Sequence, residues 1–127
     1  MRVLLDTHIF LWLIQDNKKL SDEHRQIIQN PNNERFLSVV SIWECIIKHR
    51  IGKLDFPAPP AIYLPLERRK HLIKTLNINE NNIARLAELP LHHRDPFDRL
   101  IIAHALHYDL TIVTVDPDIP KYSVKLI

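Results

Sequence analysis

The sequence predicts an α/β fold, with a central and mostly parallel sheet of four to five strands and helices on both faces. Three observations carry that expectation. Short leucine-rich or β-branched runs recur at residues 3–5, 36–40 and 111–115. Longer stretches with helix caps lie between them, and strands that alternate with helices favour a parallel sheet. The chain has 127 residues, 46% of them hydrophobic, which suits one domain over residues 1–127 with a real core and is too short for two.

Each element has its own signal. Val3, Leu4 and Leu5 form a strand that stops at Asp6. The apolar run from Ile9 to Ile14 follows a strand and a polar turn, which favours a buried helix. Ser21 caps a polar helix with Asp22 and Glu23 in its first turn, closed by Asn30 and Pro31. Residues 36–40 read as a second strand, and Ser41 then opens a helix whose last turn holds Lys48, His49 and Arg50. The four prolines within residues 56–65 demand a loop or an interrupted helix entrance, with helix resuming at 67–71. Residues 72–76 are a weak strand candidate. Asn79 and Glu80 start a helix with Ile83, Leu86 and Ala87 on one face, and Pro90 follows it. Asp95 and Pro96 start the most apolar helix, which runs to about His107. Residues 111–115 are the clearest strand, and residues 123–127 offer a short last one.

Composition removes several function classes. The single glycine, Gly52, compares with roughly nine at average usage and excludes both glycine-rich nucleotide-binding loops. A net charge of +2 gives no basic footprint strong enough to declare nucleic-acid binding. The only cysteine, Cys45, cannot form an internal disulfide or a zinc knuckle, and it reads as a small packed residue rather than a nucleophile. No apolar run is long enough to span a membrane and no secretory leader is evident, so a cytoplasmic protein without a membrane partner is expected.

Sites in parallel sheets form outside the carboxyl ends of the strands. Asp6, Glu44 and Asp116 are placed there by this reading, with Asp95 and Asp98 at the start of the apolar helix. Two carboxylates about 5 Å apart repel by about 3 kcal/mol at an effective dielectric of 20, so several acids together must stay protonated or bind cations. All-oxygen ligands favour Mg²⁺ or Mn²⁺, which can activate water and hold a phosphate for displacement. Each acid also has a plain structural role open to it. Ser41 and Glu44 have the spacing of a capping box, Asp95 is a natural N-cap with Asp98 at N3, and Asp6 and Asp116 suit strand-end turns.

Leu4-Leu5-Asp6-Thr7-His8 with the apolar Phe10-Leu11-Trp12-Leu13 resembles the opening of PIN-domain nucleases, most closely the VapC-like toxins of toxin–antitoxin pairs. The stretch from His93 to Ala103 is similar to that branch's most specific motif. Ser41 to Glu44 resembles its second acidic position, and Thr111 to Asp116 its closing strand. The resemblance spans nearly the whole chain in order and implies a PIN-like three-layer sandwich. It implies that Asp6, Glu44, Asp98 and Asp116 line a Mg²⁺ or Mn²⁺ site, with Asp95 an additional acid ranked below Asp98. The implied activity is endonucleolytic hydrolysis of RNA. The implied partners are RNA, a cognate antitoxin and a second copy in a homodimer. Thr7 and Thr114 match small hydroxyl positions that support the acids. One departure is Asp109, where many relatives carry glycine; aspartate tolerates a left-handed backbone.

Other residues have weaker claims. His104 and His107, at i and i+3, could meet a metal, but a helix pair without such a role is favoured. His93 beside Arg94 fits either phosphate contact or loop structure. Lys48, His49, Arg50 and Lys53, and separately Arg68, Arg69 and Lys70, could touch an RNA backbone, although a solvated face explains such runs more simply. Trp12 and Trp43 read as core. Two rival functions stay open: a PIN-like module that binds RNA or protein without cleavage, and a phosphohydrolase using an aspartyl-phosphate on Asp6. The second usually needs an aspartate where this chain has His8.

Overall fold

A computed structural model of the chain describes residues 1–93 and 95–127. Its strands are β1 (Arg2–Leu5), β2 (Glu34–Ser38), β3 (Ile73–Leu76), β4 (Thr111–Val113) and β5 (Lys125–Leu126). They form one five-stranded sheet in the order β3-β2-β1-β4-β5, and all four pairings are parallel. The helices are α1 (Thr7–Ile14), α2 (Asp22–Gln29), α3 (Val39–Arg50), α4 (Pro60–Lys70), α5 (Glu80–Leu86) and α6 (Pro96–Tyr108), with a 3-10 turn at Ile119–Lys121.

Alternating strand residues face opposite sides of a sheet. Val3 and Leu5 enter a core with Phe10 and Leu13 of α1, Ile28 of α2, Cys45 of α3 and Leu64 of α4. Leu4 enters a second core with Phe36 and with Ile101, Ile102 and Ala105 of α6. Helices therefore cover both faces, and the expected three-layer sandwich is observed. The first strand lies at the centre. The chain builds β2 and β3 on one side of it and then crosses to place β4 on the other. The carboxyl ends of β1 and β4 thus flank the point where strand order reverses, which is where a crevice opens in such sheets.

Four expectations need correction. Residues 39 and 40 belong to α3 rather than to a strand, because the Ser38 hydroxyl accepts from Val40 N at 3.1 Å and starts the helix earlier. The proline-rich stretch is helical from Pro60, whose missing N–H costs nothing at N1, and Pro65 is carried within the helix. The last long strand ends at Val113, leaving Val115 55% exposed. In α5 the buried residue is Asn82, while Ile83 is 46% exposed; Asn82 docks the helix by meeting His104 at 3.2 Å. His104 is fully buried in that contact, so with His107 it forms no metal pair.

The left-handed turn expected at Asp109 is present, and Gly52 makes a second one. Gly52 adopts φ 80° after α3, and Asp109 closes α6 in the left-handed conformation at φ 54°. Among the described residues, no helix is long and apolar enough to cross a membrane.

Candidate metal-binding acidic site

Asp6 sits where β1 passes directly into α1. Its N–H donates to Val113 O at 3.0 Å, and its own carbonyl accepts from Phe10 N. Its side chain makes no capping bond to α1. Instead, Asp6 Oδ2 accepts from the Thr114 hydroxyl at 2.7 Å, and that hydroxyl oxygen in turn accepts from Asp116 N at 3.0 Å. Thr114 therefore couples the ends of β1 and β4. Burial raises the Asp6 carboxyl above its usual range, and the Thr114 hydrogen bond and the charge of His8 only partly offset it.

Glu44 is not part of a capping box, because Ser41 lies inside α3 and its hydroxyl accepts from Thr7 Oγ1 at 2.8 Å. The contact ties α1 to α3 and leaves Glu44 one full turn into the helix, 2% exposed. Glu44 Oε2 accepts from Lys48 Nζ at 2.6 Å. Its other oxygen is buried with no hydrogen-bond partner among the described residues. Burial alone would lower the Lys48 ammonium, but the bond and charge of Glu44 raise it, with Asp95 adding to the effect. Lys48 is therefore not a solvated-face residue. Its i,i+4 spacing from Glu44 is the sequence signal that could have found it.

Asp95 is the N-cap of α6, accepting from Phe97 N at 2.8 Å and Asp98 N at 3.4 Å. The plain reading holds for this acid, which points at its own helix. Asp98, at N3, turns its carboxylate to His93, whose Nε2 lies 3.0 Å from both Asp98 Oδ2 and Asp116 Oδ2. His93 Nδ1 accepts from Asp95 N at 3.2 Å, so in the neutral ring the proton is assigned to Nε2 and is shared between the two acids. The Tyr122 hydroxyl accepts from His93 N at 2.8 Å and fixes the loop. Asp116 also accepts from Asp118 N through Oδ1, so it is a turn residue as well.

The Asp98 carboxyl is pushed up to about 7, first by burial, then by the charges of Asp95 and Asp6, with His93 opposing and Glu44 adding. Burial alone would lower His93, but the Asp116 hydrogen bond and the charges of Asp98 and Asp116 raise it. The structure thus brings Asp6, Glu44, Asp98 and Asp116 to one edge and adds His93 and Lys48. His93, Asp98 and Asp116 offer three ligand atoms within 4.8 Å of one another. Arg94 lies outside the described residues. Cys45, fully buried, has its thiol pushed up to about 12 by burial first and Glu44 second, so it is packing and not a nucleophile. Trp43 was expected in the core and is instead 53% exposed, turned out of the layer that Glu44 enters.

The donor set suits a hard divalent cation. It is mostly carboxylate oxygen, one buried oxygen of Glu44 has no described partner, and the neighbouring acids raise Asp98 in a way that a cation would offset.

A family model described as "PIN domain" matches residues 3–125. Ribonuclease VapC16 of Mycobacterium tuberculosis is 36% identical over 63 residues, which cover 50% of this chain and 45% of that protein. The chain therefore matches less than half the length of that relative. VapBC2 from Rickettsia felis, solved bound to a DNA fragment from its promoter, superposes with a TM-score of 0.76 at 17% identity, covering 100% of this chain and 98% of that one. VapBC-1 from nontypeable Haemophilus influenzae superposes with a TM-score of 0.68 at 19% identity, covering 100% and 97%. At these identities the two structures speak to the fold.

Proposed function

We propose, from the premise that the chain belongs to the PIN domain family, that it is an endoribonuclease dependent on Mg²⁺ or Mn²⁺ and acts as the toxin of a toxin–antitoxin pair. The observation that carries this reading is the meeting of Asp98 and Asp116 on one histidine, beside buried Asp6 and Glu44, at the sheet's reversal point. The named ribonuclease relative and the toxin–antitoxin complexes of like fold support it.

Asp6, Asp98 and Asp116 are the residues that would hold the cation, with the free oxygen of Glu44 completing the set. Such a cation supplies positive charge to a phosphodiester oxygen and acidifies a water. The chain's own residues do the positioning. Thr114 aims Asp6, and the bond from Thr7 to Ser41 fixes α3 and so Glu44. Asp95 holds the first turn of α6 that presents Asp98, and its charge raises Asp98's demand for a counter-ion. His93 keeps Asp98 and Asp116 together through its shared Nε2 proton. An antitoxin segment is the proposed protein partner, with a basic side chain competing for the same acids, and the toxin itself is proposed to be a homodimer.

Cleavage of RNA should require Mg²⁺ or Mn²⁺, stop in EDTA, and fall at least about a hundredfold in Asp6→Asn and Asp98→Asn, a loss of about 2.7 kcal/mol in barrier lowering. Full activity in EDTA, or in both variants, contradicts the reading.

A further inference from the structure

Trp43 takes no part in holding the acids, yet it borders them. It precedes Glu44 on α3, and successive residues on a helix point about 100° apart, so Glu44 enters the buried layer while the indole turns outward and stays 53% exposed. Its ring meets Phe97 with centroids 5.0 Å apart and planes at 78°. Phe97 in turn precedes Asp98 in the first turn of α6. Each ring is therefore one residue, about 3.8 Å along the backbone, from an acid of the site. The two rings bridge α3 and α6 beside these acids in sequence.

Single exposed apolar residues are ordinary on protein surfaces. This pair differs in being braced. An edge-to-face contact fixes the indole's orientation while leaving more than half of its area open to solvent. It also stands where a binding problem is acute. A cation held by the acids would engage the scissile phosphate alone, so affinity for a strand must come partly from contacts that do not depend on that charge. Stacking of a base on an aromatic ring is such a contact, and every base has a face to offer. A base inside a duplex has both faces covered and cannot use it.

We propose that Trp43, braced by Phe97, is a stacking platform for an unpaired nucleobase next to the phosphodiester at the acids. The proposal rests on the nuclease reading and adds a substrate-positioning residue. A peptide segment or a second copy of the chain is the competing occupant.

The test uses the full chain with Trp12→Phe, so that Trp43 is the only tryptophan, and with Asp6→Asn to prevent cleavage. A short single-stranded oligoribonucleotide should quench Trp43 emission. The same strand as a duplex, or with an abasic position at the quenching site, should not. In otherwise wild-type protein, Trp43→Ala should raise KM for single-stranded RNA about tenfold with kcat little changed, the size expected for one lost stacking contact, and Trp43→Phe should restore most of it. Equal quenching by duplex and single strand overturns the proposal, as does an unchanged KM in Trp43→Ala. An unchanged KM with altered sedimentation would assign the ring to a protein contact, which also overturns it. If wild-type protein cleaves no RNA with any divalent cation, the nuclease reading fails, while the quenching experiment still decides whether bases stack on Trp43.

Discussion

Glu44 meets a full positive charge one helical turn along, Lys48 at 2.6 Å, whereas Asp98 and Asp116 divide a single histidine nitrogen at 3.0 Å from each. The two flanks of the same crevice are therefore balanced differently. On the α3 flank the chain supplies the counter-ion itself. On the α6 flank, Asp98 and Asp116 share one imidazole, Asp95 adds its charge to that of Asp98, and the Asp98 carboxyl rises to about 7. An external cation therefore gains most on the α6 flank. It relieves repulsion on the α6 flank, while on the α3 flank it competes with an ammonium already in place.

The largest expected consequence concerns pH and metal. Asp98 in the folded chain titrates near 7, above its ordinary value of 3.8, so the folded state binds more protons than the unfolded one between about pH 4 and 7, and stability falls as pH rises through that window. His93 is raised above 6.5, so its stabilisation is present below that value and is lost as pH rises through its folded pKa. Both slopes have the same sign. Melting temperature in EDTA should fall from about pH 6.5 to 7.5; below that range His104, lowered by burial, has the opposite slope and offsets the trend. Mg²⁺ at a hundred times its Kd should restore about 2.7 kcal/mol and flatten the slope. A metal-free melting temperature that rises through this window would break the comparison.

A smaller effect is expected on the other flank. Lys48→Ala strands the buried Glu44 carboxylate and should cost about 2 kcal/mol by denaturant unfolding, below the usual range for fully buried pairs because the Lys48 side chain is 33% exposed. Glu44→Gln combined with Lys48→Ala should recover much of that loss. A change remote from both flanks calibrates the scale. Leu72 holds φ 55° after α4 while 73% exposed, a strained backbone with little packing to lose. Leu72→Gly should stabilise the chain by about 1 kcal/mol with no effect on metal affinity.

How much of this the sequence reveals depends on whether a signal is local. Asp95 before Pro96 caps its helix as read, and Asp109 takes the left-handed turn assigned to it, because each needs only its immediate neighbours. The start of α3 is ambiguous in the sequence because Ser38 and Ser41 can both cap, and β-branched Val39 and Val40 resemble strand; the choice is made by Thr7, which claims Ser41 from another element. Glu44 and Lys48 are legible as an i,i+4 pair once α3 is drawn correctly. His93 is not, since its partners lie 5 and 23 positions away and meet only when β4 is placed beside β1. The face of α5 was misread because its anchor is polar, Asn82 on His104, against a pattern that favours apolar residues. Trp43 was assigned to the core on apolarity alone, although its helix turns it away from the layer that buries Glu44.

Calorimetric titration of Mn²⁺ into the wild-type chain, Asp98→Asn and Glu44→Gln tests the difference between the flanks most directly. One specific binding event is expected in the wild type, with affinity at least about tenfold weaker in Asp98→Asn and about threefold or less weaker in Glu44→Gln, tenfold being 1.4 kcal/mol. Equal losses in the two variants, or undiminished binding in Asp98→Asn, would contradict that difference.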